Sequence, residues 1–281
     1  MYNSKRTADA ESSRRFLLKR FPKNLKQLKK LMNISISPEA IFHIGSFPVT
    51  NTIVVTLFIS LIIIIVSAIL KSRVRLVPKG FQNIVEYVLE ALLNLADSVT
   101  QDRRQSKKFF PIVATIFIFV ILTNWVEVVP GLGTIGIFEV HHGEQVLIPF
   151  IRSGAADLNL TLALALVSVI SAQFLGIAAI GVGKYAKKFF VSPFDRPYFV
   201  GTFVGILELV SEVAKLISFS FRLFGNIFAG EVLLTVMLFL VPYFVPLPFL
   251  MLELFVGFVQ ALVFAMLTLV FFKMAVTEAA H

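Results

Sequence analysis

The stretch FVGTFVGILELVSEVAKLISFSFRLFGNIFAGEVLLTVMLFLV, residues 199–241, decides the fold of this chain. It runs for 43 residues without a proline, which is about 65 Å if it is helical throughout. That length is about twice the thickness of a bilayer's hydrocarbon core. The stretch is mostly apolar, yet it contains Arg222, whose charge is permanent and costly at membrane depth. The pattern predicts a long, steeply tilted membrane helix whose arginine has a function or a partner.

The composition of the chain is that of a membrane protein. Of 281 residues, 57% are hydrophobic and 15% are charged, and the mean hydropathy is +0.85. Soluble domains carry about 25% charged residues, so the chain falls outside that class. The sequence has no cysteine, which excludes disulfides, thiol catalysis and cysteine-bound metals. The net charge of +9 comes from Lys and Arg beside apolar segments, so we predict a membrane surface and no nucleic acid as partner.

Five apolar segments are long enough to cross a bilayer. They cover residues 50–70, 109–129, 158–183, 199–241 and 249–275. Lys and Arg are concentrated at alternate ends of these spans, which places those ends in the cytoplasm, whereas the outer loop 131–157 has Arg152 alone. Residues 81–108 have the amphipathic pattern of a surface helix on the cytoplasmic side. The predicted fold class is an all-α integral membrane protein, whose last two spans form a long, tilted hairpin.

The N-terminal segment, residues 1–48, differs from the membrane domain, residues 49–281. It has ten Lys and Arg, and its apolar residues recur mostly at three- and four-residue steps. This periodicity predicts a basic amphipathic helix on the membrane surface. An organelle transit peptide is the alternative, against which Asp9, Glu11 and the lack of a cleavage signal argue.

One face of the long helix is polar over five turns. At 100° per residue, its polar side chains fall within about 40° of one direction. They are Glu208, Ser211, Lys215, Ser218, Arg222 and Asn226. Glu231 points about 180° away from Arg222, so these two cannot serve one local site through this helix alone. In the next helix, Glu253 and Gln260 lie seven residues apart on one face. A hairpin would therefore bring Gln260 toward Arg222, and Glu253 toward Glu231.

These polar residues have structural as well as functional interpretations. Arg222 could be neutralised by an acid of its own chain, and Glu208 and Lys215 could extend to the cytoplasmic surface. Two buried carboxylates near each other suit a group that takes up and releases protons, and they also suit a cation site. Further candidates either line a wet vestibule at the outer ends of spans two and three or cap those helix ends. They are Asn124, Glu127, Asp157 and Asn159.

Other chemistry is not supported by the sequence. His141 and His142 could bind a metal or admit protons, but no third ligand accompanies them and a solvated pair is the alternative. We therefore predict no metal and no cofactor. No phosphate-binding glycine loop occurs in the sequence, so we do not expect this chain alone to hydrolyse ATP.

Three separated motifs resemble one family, subunit a of F-type ATP synthases. They are SEVAKLISFSFRLFGNIFAGE at residues 211–231, ADLNLTLALAL at 156–166 and NWVEVVPG at 124–131. Glu253 and Gln260 are also similar to that family. The resemblance covers about residues 45–278, and it is specific because several motifs agree in order and spacing.

The resemblance implies the stator of a rotary motor, in which two half-channels pass protons to and from a ring of c subunits. Arg222 would face the ring carboxylate, displace its proton and block a direct leak. Asn226 and Gln260 would position this arginine or line the path. The remaining roles are assigned to Glu231 and Glu253 in the outer half-channel, and to Glu208, Lys215 and Ser218 as weaker candidates in the inner one.

The implied partners are the c ring, the b subunits of the peripheral stalk and the lipid bilayer. H⁺ is the expected ion and Na⁺ stays open. A bacterial inner membrane is expected, with an organelle inner membrane as the alternative. Some members of the family pair a Glu with a His where this chain has Glu231 and Glu253, so a carboxylate pair that shares a proton becomes the hypothesis here.

Two functions from other classes compete with the stator. A secondary transporter could bind an anionic substrate at Arg222, but such proteins often have internal repeats with broken helices, and the sequence has no repeat. A structural anchor for other subunits would not need Arg222, Glu231 and Glu253 at membrane depth.

Overall fold

The computed structural model describes residues 38–129, 135–141, 144–189, 200–241 and 244–277. These residues belong to a unit that spans Ile36–His281. The helices of the described part are α1 (Asn51–Arg73), α2 (Phe81–Thr100), α3 (Arg103–Val128), α4 (Leu158–Ile180), α5 (Val182–Phe189), α6 (Val200–Leu240) and α7 (Pro246–Thr277). Its strands are β1 (Ala40–Ile44), β2 (Phe47–Thr50), β3 (Gly136–His141) and β4 (Glu144–Pro149). A short 3₁₀ turn covers Gly154–Ala156.

The prediction of five membrane-crossing helices is confirmed. Helices α1, α3, α4, α6 and α7 are long and apolar enough to span a bilayer. Helix α6 is continuous over 41 residues and is therefore about 60 Å long, and it packs along the 32-residue α7 as a hairpin. A helix of that length has to tilt in the membrane or lie partly in its plane.

Two β-hairpins lie outside the expected helical pattern. Strand β1 pairs with β2 around Gly45, whose φ of 63° favours glycine, and β3 pairs with β4 in the outer loop. The first hairpin occupies the end of the segment 1–48, so an amphipathic helix over that whole segment is wrong. Residues 1–37 of that segment, and His142, fall outside the described residues.

The surface helix expected over 81–108 is divided into two parts. Helix α2 ends at Thr100 because Gln101 adopts a left-handed conformation with φ of 59°. Asp102 then caps α3, and its side chain accepts a hydrogen bond from the Arg104 backbone N–H at 2.8 Å. The second spanning helix therefore begins at Arg103 rather than at residue 109, and its first turns carry the basic residues that were predicted to face the cytoplasm.

The core is formed where α3, α4, α6 and α7 pack against one another. Small residues on α4 and α7, such as Ala165, Ala172, Ala261 and Ala265, are buried and let the helices approach closely. Hydroxyl groups join the helices, as in the 3.1 Å bond from Thr268 Oγ1 to Ser168 Oγ. In contrast, the buried residues of α1 are confined to its first nine positions, and the rest of this helix exposes large apolar side chains, as expected for a lipid-facing helix.

Candidate ion-translocation site

Three carboxyl side chains and one guanidinium meet near the helix ends that were predicted to face outward, beside the segment that is poor in Lys and Arg. Glu127 comes from the end of α3, Glu231 from α6 and Glu253 from α7. Arg152 precedes the 3₁₀ turn that leads into α4. Glu127 interacts electrostatically with each of the other three side chains. We call these four residues the outer cluster.

Arg152 forms a two-point ion pair with Glu231. Its Nε lies 3.0 Å from Glu231 Oε1, and its Nη2 lies 3.0 Å from Glu231 Oε2. The arginine side chain is 6% exposed and that of Glu231 is 22% exposed. The neighbouring Ser153 is fully buried and donates to the Thr123 carbonyl at 3.2 Å, which holds this segment against α3. A bidentate pair of this kind fixes the position as well as the charge of the carboxylate.

The other two carboxyls of the outer cluster are buried without full pairing. Glu253 is 7% exposed, and neither of its carboxyl oxygens has a hydrogen-bond partner within the described part of the chain. Within the same residues, Glu127 Oε2 is buried and unpartnered as well. The Glu253 carboxyl lies over Gly230, where an added Cβ would be 2.7 Å from its Oε1. Buried carboxyls without partners are costly in structural terms and are typical of ion pathways.

A cavity between α6 and α7 extends from Glu253 toward the middle of α6. Its volume is about 180 Å³, and its polar lining residues are Asn226 and Glu253. Asn226 Nδ2 donates to Gln260 Oε1 at 2.6 Å, and Gln260 Nε2 is a further buried atom without a partner in the described chain. A cavity of this size has room for several water molecules. The cavity therefore joins the outer cluster to the Asn226–Gln260 pair.

Arg222 lies one turn before Asn226, on the side of α6 that faces away from the rest of the described chain. Phe219, Leu223 and Ile227 form the buried side of the helix. The exposed side contains Ser218, Arg222, Gly225, Asn226 and Ala229. An added Cβ at Gly225 would meet nothing within 4 Å. Among the described residues, no ion pair or hydrogen bond of the Arg222 side chain is found. The interpretation that an acid of this chain neutralises Arg222 is therefore not supported there.

The N-terminal half of the same helix carries a second set of polar side chains, those of Glu208, Glu212, Lys215 and Ser218. Lys215 Nζ lies 3.0 Å from Glu212 Oε1, and 5.9 Å from the ring centre of Phe271. Glu212 was not predicted as a candidate. Glu208 and Lys215 are half-buried and Ser218 is exposed.

The remaining vestibule candidates separate into two groups. Asp157 caps α4 by accepting from the Asn159 backbone N–H at 2.8 Å, and it accepts from Thr52 Oγ1 at 2.8 Å. Asp157 therefore caps α4, and Asp157 and the exposed Asn159 also line a cavity of about 430 Å³ beside α1. Asn124 is buried and donates to the Gly257 carbonyl at 3.0 Å, on the helix that carries Glu253.

Comparison with known proteins identifies the family. The family model of the ATP synthase A chain matches residues 47–273. The ATP synthase subunit a of Campylobacter concisus (strain 13826) is 36% identical over 79% of this chain and 88% of that protein. The chain belongs to the ATP synthase A chain family. The subunit a proteins of Campylobacter jejuni (strain RM1221), 33% identical over 92% of this chain and 100% of that protein, and of Moorella thermoacetica, 28% identical over 84% and 95%, agree.

Members of the ATP synthase A chain family are the proton-translocating stator subunits of F-type ATP synthases, and this chain is a multi-pass membrane protein. Besides Glu212, Arg152 is a candidate site residue that the sequence analysis missed. It was noted as the one basic residue of the outer loop, and that isolation was the available signal. Its partner lies 79 residues away along the chain, so no local pattern connects the two.

Proposed function

We propose that this chain forms the two half-channels of a rotary ATP synthase and that Arg222 separates them. The observation that carries the proposal is Arg222, which is exposed near the middle of a spanning helix and has no ion pair among the described residues. A guanidinium in hydrocarbon is too costly to be left alone, so its compensating carboxylate comes from another subunit. A carboxylate on a ring of c subunits, presented to the small side chains around Arg222, fits this surface.

In this proposal the outer half-channel is lined by Glu231 and Glu253, with Glu127 and Asn124 beside them. The cavity between α6 and α7 leads protons past Asn226 and Gln260 to the ring. At the ring, Arg222 favours the ionised form of the rotor carboxylate and repels a hydronium ion, which prevents a direct leak. Glu208, Lys215 and Ser218, with the newly found Glu212, are the candidates for the inner half-channel.

The proposal includes the cellular setting. The relatives reported above come from bacteria, which supports a bacterial inner membrane as the location. The proposed partners are the c ring, the b subunits of a peripheral stalk and the lipid bilayer. H⁺ is the proposed ion, because the carboxyls of the outer cluster can take up and release protons.

The test is ATP-driven acidification of membrane vesicles that contain the assembled complex, in Na⁺-free buffer. We expect Arg222→Ala to reduce acidification by about hundredfold or more, because an unpaired buried charge is worth about 3–5 kcal/mol. Arg104→Ala, which removes an exposed arginine at the start of α3, is the matched control and should pump like the parent. Normal acidification by the Arg222→Ala complex would support a structural anchor instead, and substrate uptake by the purified chain alone would support a transporter.

A further inference from the structure

The outer cluster is unequally compensated. It contains three carboxyl groups and one guanidinium, and the guanidinium contacts both oxygens of one carboxyl, Glu231. Glu253 and Glu127 have buried oxygens without partners within the described residues. The three acids are therefore not equivalent, although a proton path through them could be written in several ways.

The contacts of Arg152 indicate a static ion pair. The arginine is 6% exposed and is held by a buried segment, in which Ser153 bonds to the α3 backbone and Asp157 bonds to Thr52 of α1. A proton that entered at Glu231 would have to break two charge-assisted hydrogen bonds between Glu231 and Arg152. That exchange is expensive because the guanidinium is almost fully buried.

The contacts of Glu253 indicate the opposite. Among the described residues, the Glu253 carboxyl has no hydrogen bond to release, it lies over Gly230 without a Cβ in the way, and it lines the cavity that leads to Asn226. A carboxyl in this position can gain a proton from a water molecule on one side and lose it to a water molecule on the other, without breaking any contact within the protein.

We propose that Arg152 is a positioning residue that keeps Glu231 as a fixed ion pair, so that Glu253, with Glu127, is the group of the outer cluster that takes up and releases protons. This inference rests on the proposed function. It replaces the hypothesis of a proton shared between Glu231 and Glu253 with a division of roles. Glu231 keeps the proton path open, and Arg152 prevents Glu231 from trapping the proton.

A pair-neutralisation experiment tests this division. Arg152→Gln leaves the Glu231 carboxyl uncompensated in the path, and we expect the initial rate of ATP-driven acidification to fall by about tenfold or more, which corresponds to about 1.4 kcal/mol. The double variant Arg152→Gln/Glu231→Gln keeps the net charge of the parent, because it removes one basic and one acidic group. Its rate of acidification should recover to within about threefold of the parent rate. If Glu231 itself carries the proton, the double variant stays inactive. An assembled double variant that does not pump overturns the inference.

Two further variants complete the design. Glu253→Gln should abolish acidification both alone and in the double-variant background, and pumping by it would overturn the assignment of Glu253. Arg103→Gln breaks an exposed ion pair with Asp97 and is the matched control, expected to leave the rate unchanged. Rates are normalised to the amount of chain in the membrane. If Arg152→Gln fails to accumulate, the double variant, which removes both members of the Arg152–Glu231 pair, still decides.

The same vesicles separate the two proposals. Loss of pumping by Arg222→Ala together with a double variant that does not recover overturns only the role of Arg152. Normal pumping by Arg222→Ala overturns the proposed function, whatever the Arg152 variants do.

Discussion

Two arginines lie at or near membrane depth in this chain, and their surroundings differ. Arg152 is almost fully buried and binds both carboxyl oxygens of Glu231. Arg222 is exposed on α6, among small and polar side chains, with no partner in the described part of the chain. The first charge is compensated within the protein, so it belongs to the protein's own architecture. The second is not, so its energetics depend on another molecule.

The largest difference that we expect between variants of the two arginines is in the free energy of unfolding. Arg152→Met leaves Glu231 without its cation, and we expect the free energy of unfolding to fall by about 2–4 kcal/mol, less than for a fully buried pair because Glu231 keeps some solvent contact. Arg222→Met should change it by less than about 0.5 kcal/mol, because Arg222 is exposed and its side chain has no ion pair or hydrogen bond to lose among the described residues. Denaturant unfolding of the purified chain in detergent measures both. Equal losses in the free energy of unfolding would show that the two arginines contribute to stability in the same way.

A double variant sharpens the same measurement. Arg152→Met/Glu231→Met replaces the pair by apolar side chains, and most of the lost stability should return because no buried charge is left unpaired. A double variant that is no more stable than Arg152→Met would mean that the arginine acts through packing rather than through its charge.

The second prediction concerns the exposed face of α6. An added side chain at Gly225 meets nothing within 4 Å in this chain, so Gly225→Leu should leave the stability of the isolated chain nearly unchanged. In the assembled complex it should lower ATP-driven acidification by about tenfold, because the bulk would separate Arg222 from its partner and each 1.4 kcal/mol is a factor of ten. Pumping at the parent rate would argue against a close partner at this face.

The third prediction uses a glycine five residues further along the same helix, on the side of the outer cluster. At Gly230 an added Cβ would be 2.7 Å from Glu253 Oε1, which is the end of a flexible side chain. Gly230→Ala should therefore cost little stability but displace the Glu253 carboxyl, and we expect acidification to fall by about threefold to fivefold, equivalent to about 1 kcal/mol. An unchanged rate in spite of a displaced Glu253 carboxyl would remove Glu253 from the path.

The sequence was sufficient to predict the membrane-spanning helices of the fold. Apolar runs of spanning length gave the five membrane helices, because the bilayer imposes length and composition on each helix separately. Helical periodicity also separated the side of α6 that carries Arg222 from the side that carries Glu231. These are properties of single helices, and a single helix can be interpreted from its own residues.

The features that the sequence did not reveal depend on contacts between distant segments or on local backbone geometry. Arg152 belongs to the outer cluster only because the loop before α4 folds back against α3 and α6. The break between α2 and α3 depends on the left-handed backbone conformation of one residue, Gln101. A glycine would have signalled this conformation in the sequence, but the position is occupied by glutamine. The first hairpin is short, with strands of five and four residues, and a basic, periodic segment precedes it.

The smallest expected effect comes from a third arginine, Arg103, whose pair with Asp97 is exposed at the corner between α2 and α3. The Ser106 hydroxyl and then this guanidinium lower the pKa of Asp97 below its ordinary value. A lowered pKa in the folded state means that the contribution to stability is present above the ordinary value of about 4 and is lost as the pH falls through the lowered value. Asp97→Asn should therefore be slightly less stable than the parent at pH 7, and the difference should shrink on acidification below pH 4, as unfolding at both pH values would measure. A large difference at pH 7 would mean that an exposed pair counts as much as the buried Arg152 pair, against the contrast drawn between them.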